Sequence, residues 1–206
     1  RFPQGLWFED HEVFWRMAAR APRLAWVPEG LVRHRRGRTG QITGSDDERV
    51  FDVLTVLDRL HPLVTQGFSG GEAGFDRLAS RLVAERFLVL RDADRMARFL
   101  AAARGLLARL QVTWQDDPEM PRAYGLAMAG EVPVSVLGGG ADAAQGVPGA
   151  EVLAPGGIPR GRYLLVLAPG EAPLPGGLLR LIDLAERSGM PLVLGGIERA
   201  TLGGHD

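Results

Sequence analysis

The sequence predicts an α/β protein, and three observations carry that prediction. Apolar residues recur at helical spacing from Val50 to Leu110, which calls for a helical layer. The apolar runs "VPVSVL", "RYLLVLA" and "PLVLGG" have the length and bounding glycines and prolines of short strands. The last two of these flank the helical segment "LLRLIDLAERSG", and the order strand, crossover helix, strand implies parallel pairing. With 206 residues, 46% of them apolar, the chain can bury a sizeable core. Three units are expected: residues 1–44, a helical segment over 45–128, and a small strand-helix-strand unit over 129–206.

In the first unit a short helix is expected from about Glu9 to Arg20, with acids in its first turn. "RLAWV" and "GLVRH" follow, joined through Pro28, Glu29 and Gly30, and read as two short strands with a turn between them. In the second unit "SDDE", Ser45 to Glu48, has the form of a capping box, so a helix is expected to start there. Val50, Phe51, Val53, Leu54, Leu57 and Leu60 form its buried stripe, which is expected to run to about His61 and Pro62.

"GFSGGEAG" then reads as a loop. Two more amphipathic helices are expected, one through Phe75, Leu78, Leu82 and Phe87, the other through Met96, Phe99, Leu100, Ala103, Leu106, Leu107 and Leu110. Past Val112 the character changes, and glycine and proline crowd residues 130 to 177. The stretch between Leu137 and Tyr163 shows no clear element of its own.

Twenty-four basic and 25 acidic residues leave a net charge of −1, so no global field marks nucleic acid or an anionic membrane as partner. Every basic residue other than histidine is arginine, a bias that weakens any single arginine as a sign of bidentate chemistry. The absence of cysteine excludes disulfides and thiolate metal sites and fits a reducing compartment. No apolar run is long enough to span a bilayer and no signal peptide is visible, so the expected setting is cytoplasmic. The chain opens on Arg1 inside what reads as a motif, and a fragment lacking its N-terminal part is expected.

Few residues carry recognisable chemistry. Glu9 and Asp10 sit where a helix N-terminus favours carboxylates by about 0.3 to 1 kcal/mol each, so they need no function to be there. The same field keeps a carboxylate ionised, and a rigid Asp at a cleft edge can accept a proton from a bound hydroxyl. The cluster Arg33, His34, Arg35, Arg36 and Arg38, followed by Gly40, Gln41 and Thr43, suits a diphosphate, because guanidinium forks match phosphate oxygens. A solvated strand end in an arginine-rich chain accounts for it equally well. His34 is also a candidate metal ligand or diphosphate contact, although His11, His61 and His205 show no metal-ligand spacing with it. "VLGGGADAAQG" lacks both the G-x-G-x-x-G spacing and the Walker lysine, and neither a G-x-S-x-G elbow nor an H-E-x-x-H helix occurs.

Taken in order, "WFED" (Trp7 to Asp10), "WRMAARAPRLAWVPEGL" (Trp15 to Leu31), "RHRR" (Arg33 to Arg36) and "GQIT" (Gly40 to Thr43) resemble the C-terminal half of the catalytic domain of family 2 glycosyltransferases. The resemblance covers residues 1 to about 60 well, with the helical continuation reaching about 128. It implies a partial GT-A-like unit and an inverting sugar transfer from a nucleotide-sugar donor to a glycan or cell-surface polymer acceptor. Asp10 would be the general base, and Glu9 would orient it or bind acceptor hydroxyls. His34, Arg35, Arg36 and Arg38 would steady the leaving diphosphate or contact acceptor, beside a divalent metal, Mg²⁺ or Mn²⁺. In that family the donor-binding first strand and the Asp-x-Asp metal motif lie upstream of the Glu-Asp motif, so the main metal ligands are expected outside this chain.

"RGRYLLVLAPGEAPLPGGLLRLIDLAERSGMPLVLGG" resembles the segment around the Asp-x-Asp motif of the same family, but Ala168 and Gly170 stand at the acid positions with only Glu171 nearby. One carboxylate is a poor divalent-metal site. A degenerate, non-catalytic second copy is therefore expected over 129–206, with an ordinary strand-helix-strand unit as the alternative. A setting at the inner face of a membrane and a homo-oligomeric state are both compatible with this reading. A second function class is a non-catalytic scaffold that assembles through the Leu100, Leu107 and Leu110 stripe. A third, nucleic-acid contact through Arg33 to Arg38, is disfavoured by the near-zero net charge and the lack of interleaved aromatics.

Overall fold

A computed structural model describes residues 4–25, 27–30, 44–139, 141–174 and 176–193. These form six α-helices and a three-stranded parallel sheet, so the chain is α/β. The helices are α1 (Glu9–Ala18), α2 (Asp52–Gly67), α3 (Gly71–Phe87), α4 (Ala93–Arg109), α5 (Arg122–Ala129) and α6 (Gly177–Ser188).

The helical stripes read from the sequence are the core. Val50, Val53, Leu57 and Leu60 are buried with Phe75, Leu82, Phe87, Met96, Phe99 and Leu106, while Phe51, Leu54 and Leu78 pack against them. Leu100 and Leu107 lie inside the same cluster and Leu110 packs against it, so the stripe assigned above to assembly is spent within the chain.

Several boundaries differ from the expected ones for local reasons. Asp47, not Ser45, caps the second helical segment: its carboxylate accepts from the Arg49 amide at 2.8 Å, and one 3-10 turn (Glu48–Phe51) leads into α2. Pro62 does not end α2, which continues to Gly67. The proline faces solvent, and Val64 two residues on is buried in the core, so packing outweighs the lost hydrogen bond. The glycine-rich loop shrinks to residues 68–70, because α3 already starts at Gly71.

Gly71 is there for space. A Cβ at that position would lie 2.1 Å from the Val64 carbonyl oxygen of α2, so the two helices cross by near backbone contact. Gly71→Ala is expected to cost about 1–3 kcal/mol or more by forcing the crossing apart. Urea denaturation followed by helical circular dichroism checks this, and an unchanged midpoint would refute the crossing.

In the sheet β1 (Val134–Leu137) lies between β2 (Glu151–Leu153) and β3 (Tyr163–Val166). Both pairings are parallel, with Ser135 opposite Glu151 on one side and Leu164 on the other. β2 falls in the stretch where no element was expected; three residues are too few to show a period. The pairing inferred from "RYLLVLA" to "PLVLGG" is not the one observed: Pro191, Leu192 and Val193 carry no strand, and the rest of that run lies outside the described residues.

Val134, Val136, Tyr163 and Leu165 share the face that packs on Leu178 and Ile182 of α6 and on Val147. On the opposite face Leu164 and Val166 are exposed. α5 links the two clusters, giving Tyr124 and Ala127 to the helical core and Ala123 to the core beneath the sheet.

Two carboxylates, one in the helical layer and one in the sheet, set an acid limit. Glu48 accepts from Arg98 at 2.6 Å and from Arg95 at 3.2 Å, chiefly the former holding its pKa down from 4.5 to about 2. Glu151 is likewise lowered to about 2, first by the Ser135 hydroxyl at 2.6 Å and then by the Arg160 amide and guanidinium. A depressed folded-state value means stability that is complete above the unfolded value of about 4.5 and lost as pH falls toward 2. The urea midpoint is expected to decline over that window, and less steeply in a Glu48→Gln, Glu151→Gln double variant; equal slopes would exclude these two groups as the cause.

Candidate functional site

The best-anchored motif is "WFED". Trp7 donates its backbone N–H to Asp52 Oδ2 at 2.9 Å, and the Arg49 guanidinium lies 4.8 Å over the Trp7 ring while donating to the Gly5 carbonyl at 3.2 Å. Phe8 is the N-cap of α1, with φ +65°, a left-handed conformation that costs a side-chain-bearing residue about 1–2 kcal/mol. It is held there because its ring is buried in the helical core with the Arg86 guanidinium 4.7 Å above it. Backbone strain of this kind persists only where the surroundings over-determine it.

Arg86 is unusual in itself. It is only 6% exposed, and among the described residues neither Nε nor Nη1 has a hydrogen-bond partner. Its remaining contact is Glu85, 3.7 Å from Nη2, and burial lowers its pKa. Nothing in the sequence distinguished it, because an arginine at a helix end ordinarily faces water.

The acids of the first turn have different fates. Glu12 is buried and ion-paired with Arg16 of its own helix and, at 3.5 Å, with Arg59 of α2. It is a packing residue that pins α1 to α2. Glu9 is half-buried and Asp10 is exposed, each within one turn of the strained cap. Both therefore sit in the positive end of the α1 dipole, on a rigid element. α1 runs to Ala18, two residues short of the expected end.

The expected strand "RLAWV" is not one. Arg23, Leu24, Ala25 and Val27 carry no strand assignment, with Leu24 and Val27 exposed, since no described strand lies alongside to pair with them. His34, Arg35, Arg36 and Arg38 lie outside the described residues, as does the expected strand "GLVRH". Glu9 and Asp10 are thus the predicted site residues that the described structure places together, in the first turn of α1.

The carboxyl ends of β1 and β3 meet at a second place of interest. Gly138 has φ +86°, and a Cβ there would lie 2.2 Å from the Leu167 carbonyl oxygen, so the two loops touch through backbone. Glu171 folds back to accept the Ala168 amide at 2.7 Å. The one carboxylate at this turn is thus engaged by its own backbone, and no group of three or more His, Asp or Glu among the described residues could hold a metal ion. These residues do not fit Mg²⁺ or Mn²⁺.

A hollow of about 700 Å³ lies elsewhere, between α4 and the connection from β1 to β2. Arg91, Arg104 and Asp142 stand around an apolar floor of Met96, Leu100 and Val147. No residue singled out in the sequence for catalysis lines it. Among the described residues no helix is long and apolar enough to cross a membrane.

No protein-family model matches the chain, and no curated protein or solved structure shows significant similarity to it.

Proposed function

We propose that the chain is part of an inverting glycosyltransferase, with residues 1–44 contributing the acceptor side of a partial GT-A-like active site. The reading rests on the ordered motifs from "WFED" to "GQIT". The observation that supports it most is that Asp10 is exposed in the first turn of α1, two residues after a strained and buried anchor. A general base needs that combination of fixed position and access to solvent.

In this mechanism the acceptor hydroxyl gives its proton to the Asp10 carboxylate as its oxygen attacks the anomeric carbon. The bond from that carbon to the nucleoside diphosphate breaks in the same step, and the diphosphate leaves with the electron pair. Glu9 accepts hydrogen bonds from neighbouring acceptor hydroxyls and so orients the nucleophile. His34, Arg35, Arg36 and Arg38 are proposed to stabilise the charge that develops on the leaving diphosphate. The donor's nucleoside and the divalent ion are proposed to be held outside the described residues. Residues 129–206 are proposed as a degenerate copy of the same domain, a reading that rests on the resemblance of that segment and on Ala168 and Gly170 standing at the acid positions. A cytoplasmic site of action, at the inner face of the membrane, belongs to the same reading.

The test is to incubate the protein carrying this chain with UDP-, GDP- and dTDP-sugars, divalent ion and a glycan acceptor, and to follow nucleoside diphosphate release. Acceptor-dependent release supports the reading; its absence with every donor overturns it.

A further inference from the structure

Val112, Trp114 and Met128 are shared by two adjoining hollows of about 630 and 560 Å³, which together make one groove across α4, α5 and the segment between them. Asp116, Arg122 and Glu186 line one end, and Arg104 lines the other. The half-buried Trp114 indole donates its N–H to Asp116 Oδ1 at 3.1 Å, and Asp116 Oδ2 takes the Arg122 guanidinium at 2.5 Å. Gly125 makes room for this nest: a Cβ there would lie 2.6 Å from Asp116 Oδ1 and 3.1 Å from Trp114 Nε1.

At the other end Arg104 lies against Gly130, whose φ is +89° and whose Cβ would fall 2.6 Å from Nη2. Among the described residues Arg104 has no ion pair. Glu186 is held by the Tyr163 hydroxyl at 2.6 Å and by Arg162 at 2.7 Å. The groove therefore presents a fixed aromatic plane between a neutralised set of donors and acceptors and one uncompensated cation.

We propose that this groove binds an acidic oligosaccharide. The C–H face of a sugar ring is apolar and its edge is polar, so a ring packs on the indole while its hydroxyls exchange hydrogen bonds with Asp116, Arg122 and Glu186. The Arg104 fork matches the carboxylate of a uronic acid. A nucleoside diphosphate would also stack on an indole, but it gathers several negative charges at one point, where Arg104 is the single uncompensated cation in the groove among the described residues, whereas a uronic acid carries one charge per ring. That the bound saccharide is the acceptor rests on the transferase reading; that it binds does not.

The experiment is calorimetric titration of the full chain with hexagalacturonate and with a hyaluronan hexasaccharide, using maltohexaose and uridine diphosphate as comparisons. At least one acidic probe is expected to bind about tenfold or more tightly than maltohexaose, and to lose about tenfold in Arg104→Gln, the size of a charge-assisted hydrogen bond. Trp114→Ala is expected to abolish binding. Arg104 is exposed, so its variant remains informative if Trp114→Ala fails to fold. Failure of both acidic probes to bind, equal affinity for maltohexaose, displacement by uridine diphosphate, or unchanged binding in Arg104→Gln would each overturn the proposal. Because no transfer is measured, these outcomes are independent of whether Asp10 is a base.

Discussion

Asp10→Asn is expected to lower acceptor-dependent turnover by about 10² to 10⁴ while leaving the fold in place. The amide keeps the volume and one carbonyl oxygen of the acid but cannot take up a proton. The structural cost is small, because the side chain is exposed and its role at the helix terminus is worth about 0.3 to 1 kcal/mol. A purely structural Asp10 predicts the reverse pattern, a small loss of stability with no loss of rate. Steady-state release of nucleoside diphosphate, read beside the urea midpoint of the same variant, separates the two. Glu9→Gln is expected to act chiefly on the acceptor KM, since it changes hydrogen bonding to the nucleophile rather than the fate of its proton. A loss of only a few-fold for Asp10→Asn would remove it as the base.

Phe99→Ala is expected to be the most damaging single truncation in the helical layer. Phe99 is fully buried on α4, and its ring stands edge-on to Phe51 and Phe87, each with centroids 5.4 Å away. Phe87 in turn lies 5.2 Å from Tyr124, so one row of rings joins the 3-10 turn, α4, α3 and α5. Removing the central ring costs about 3–5 kcal/mol through lost burial and the cavity left behind. A domain of this size has about 5–15 kcal/mol in all, so the variant sits near the edge of folding. Equilibrium urea denaturation measures the loss, and a value below about 1 kcal/mol would mean that the row is not the centre of the core.

The helical layer was legible because its signal is redundant. Each of α2, α3 and α4 repeats an apolar residue every three or four positions over at least four turns, and one misleading residue such as Pro62 cannot erase that. β2 was illegible because three residues contain no period, and its pairing with β1 is decided by register rather than by propensity. The strand expected in "RLAWV" failed for a related reason, since an apolar run becomes a strand only beside a partner.

Of the candidate site, the acidic helix start could be read directly, because Glu9, Asp10 and Glu12 fall in the first turn whatever their function. The division of labour among them could not. Glu12 is structural because Arg59 comes to it from α2, 47 positions away in sequence. Arg86 and the Trp114 groove were invisible because each depends on contacts made only in the fold, the Phe8 ring against Arg86 of α3 and Gly125 of α5 against Asp116 in the segment before it.

A single in-line displacement assisted by Asp10 inverts the anomeric carbon, so an α-linked sugar nucleotide must yield a β-glycoside. Proton NMR of the newly formed linkage, taken early in the reaction of the protein carrying this chain, reads the configuration from the anomeric coupling. The β-linked product is the predicted result; an α-linked product would contradict the assignment of Asp10 as the base of an inverting transfer.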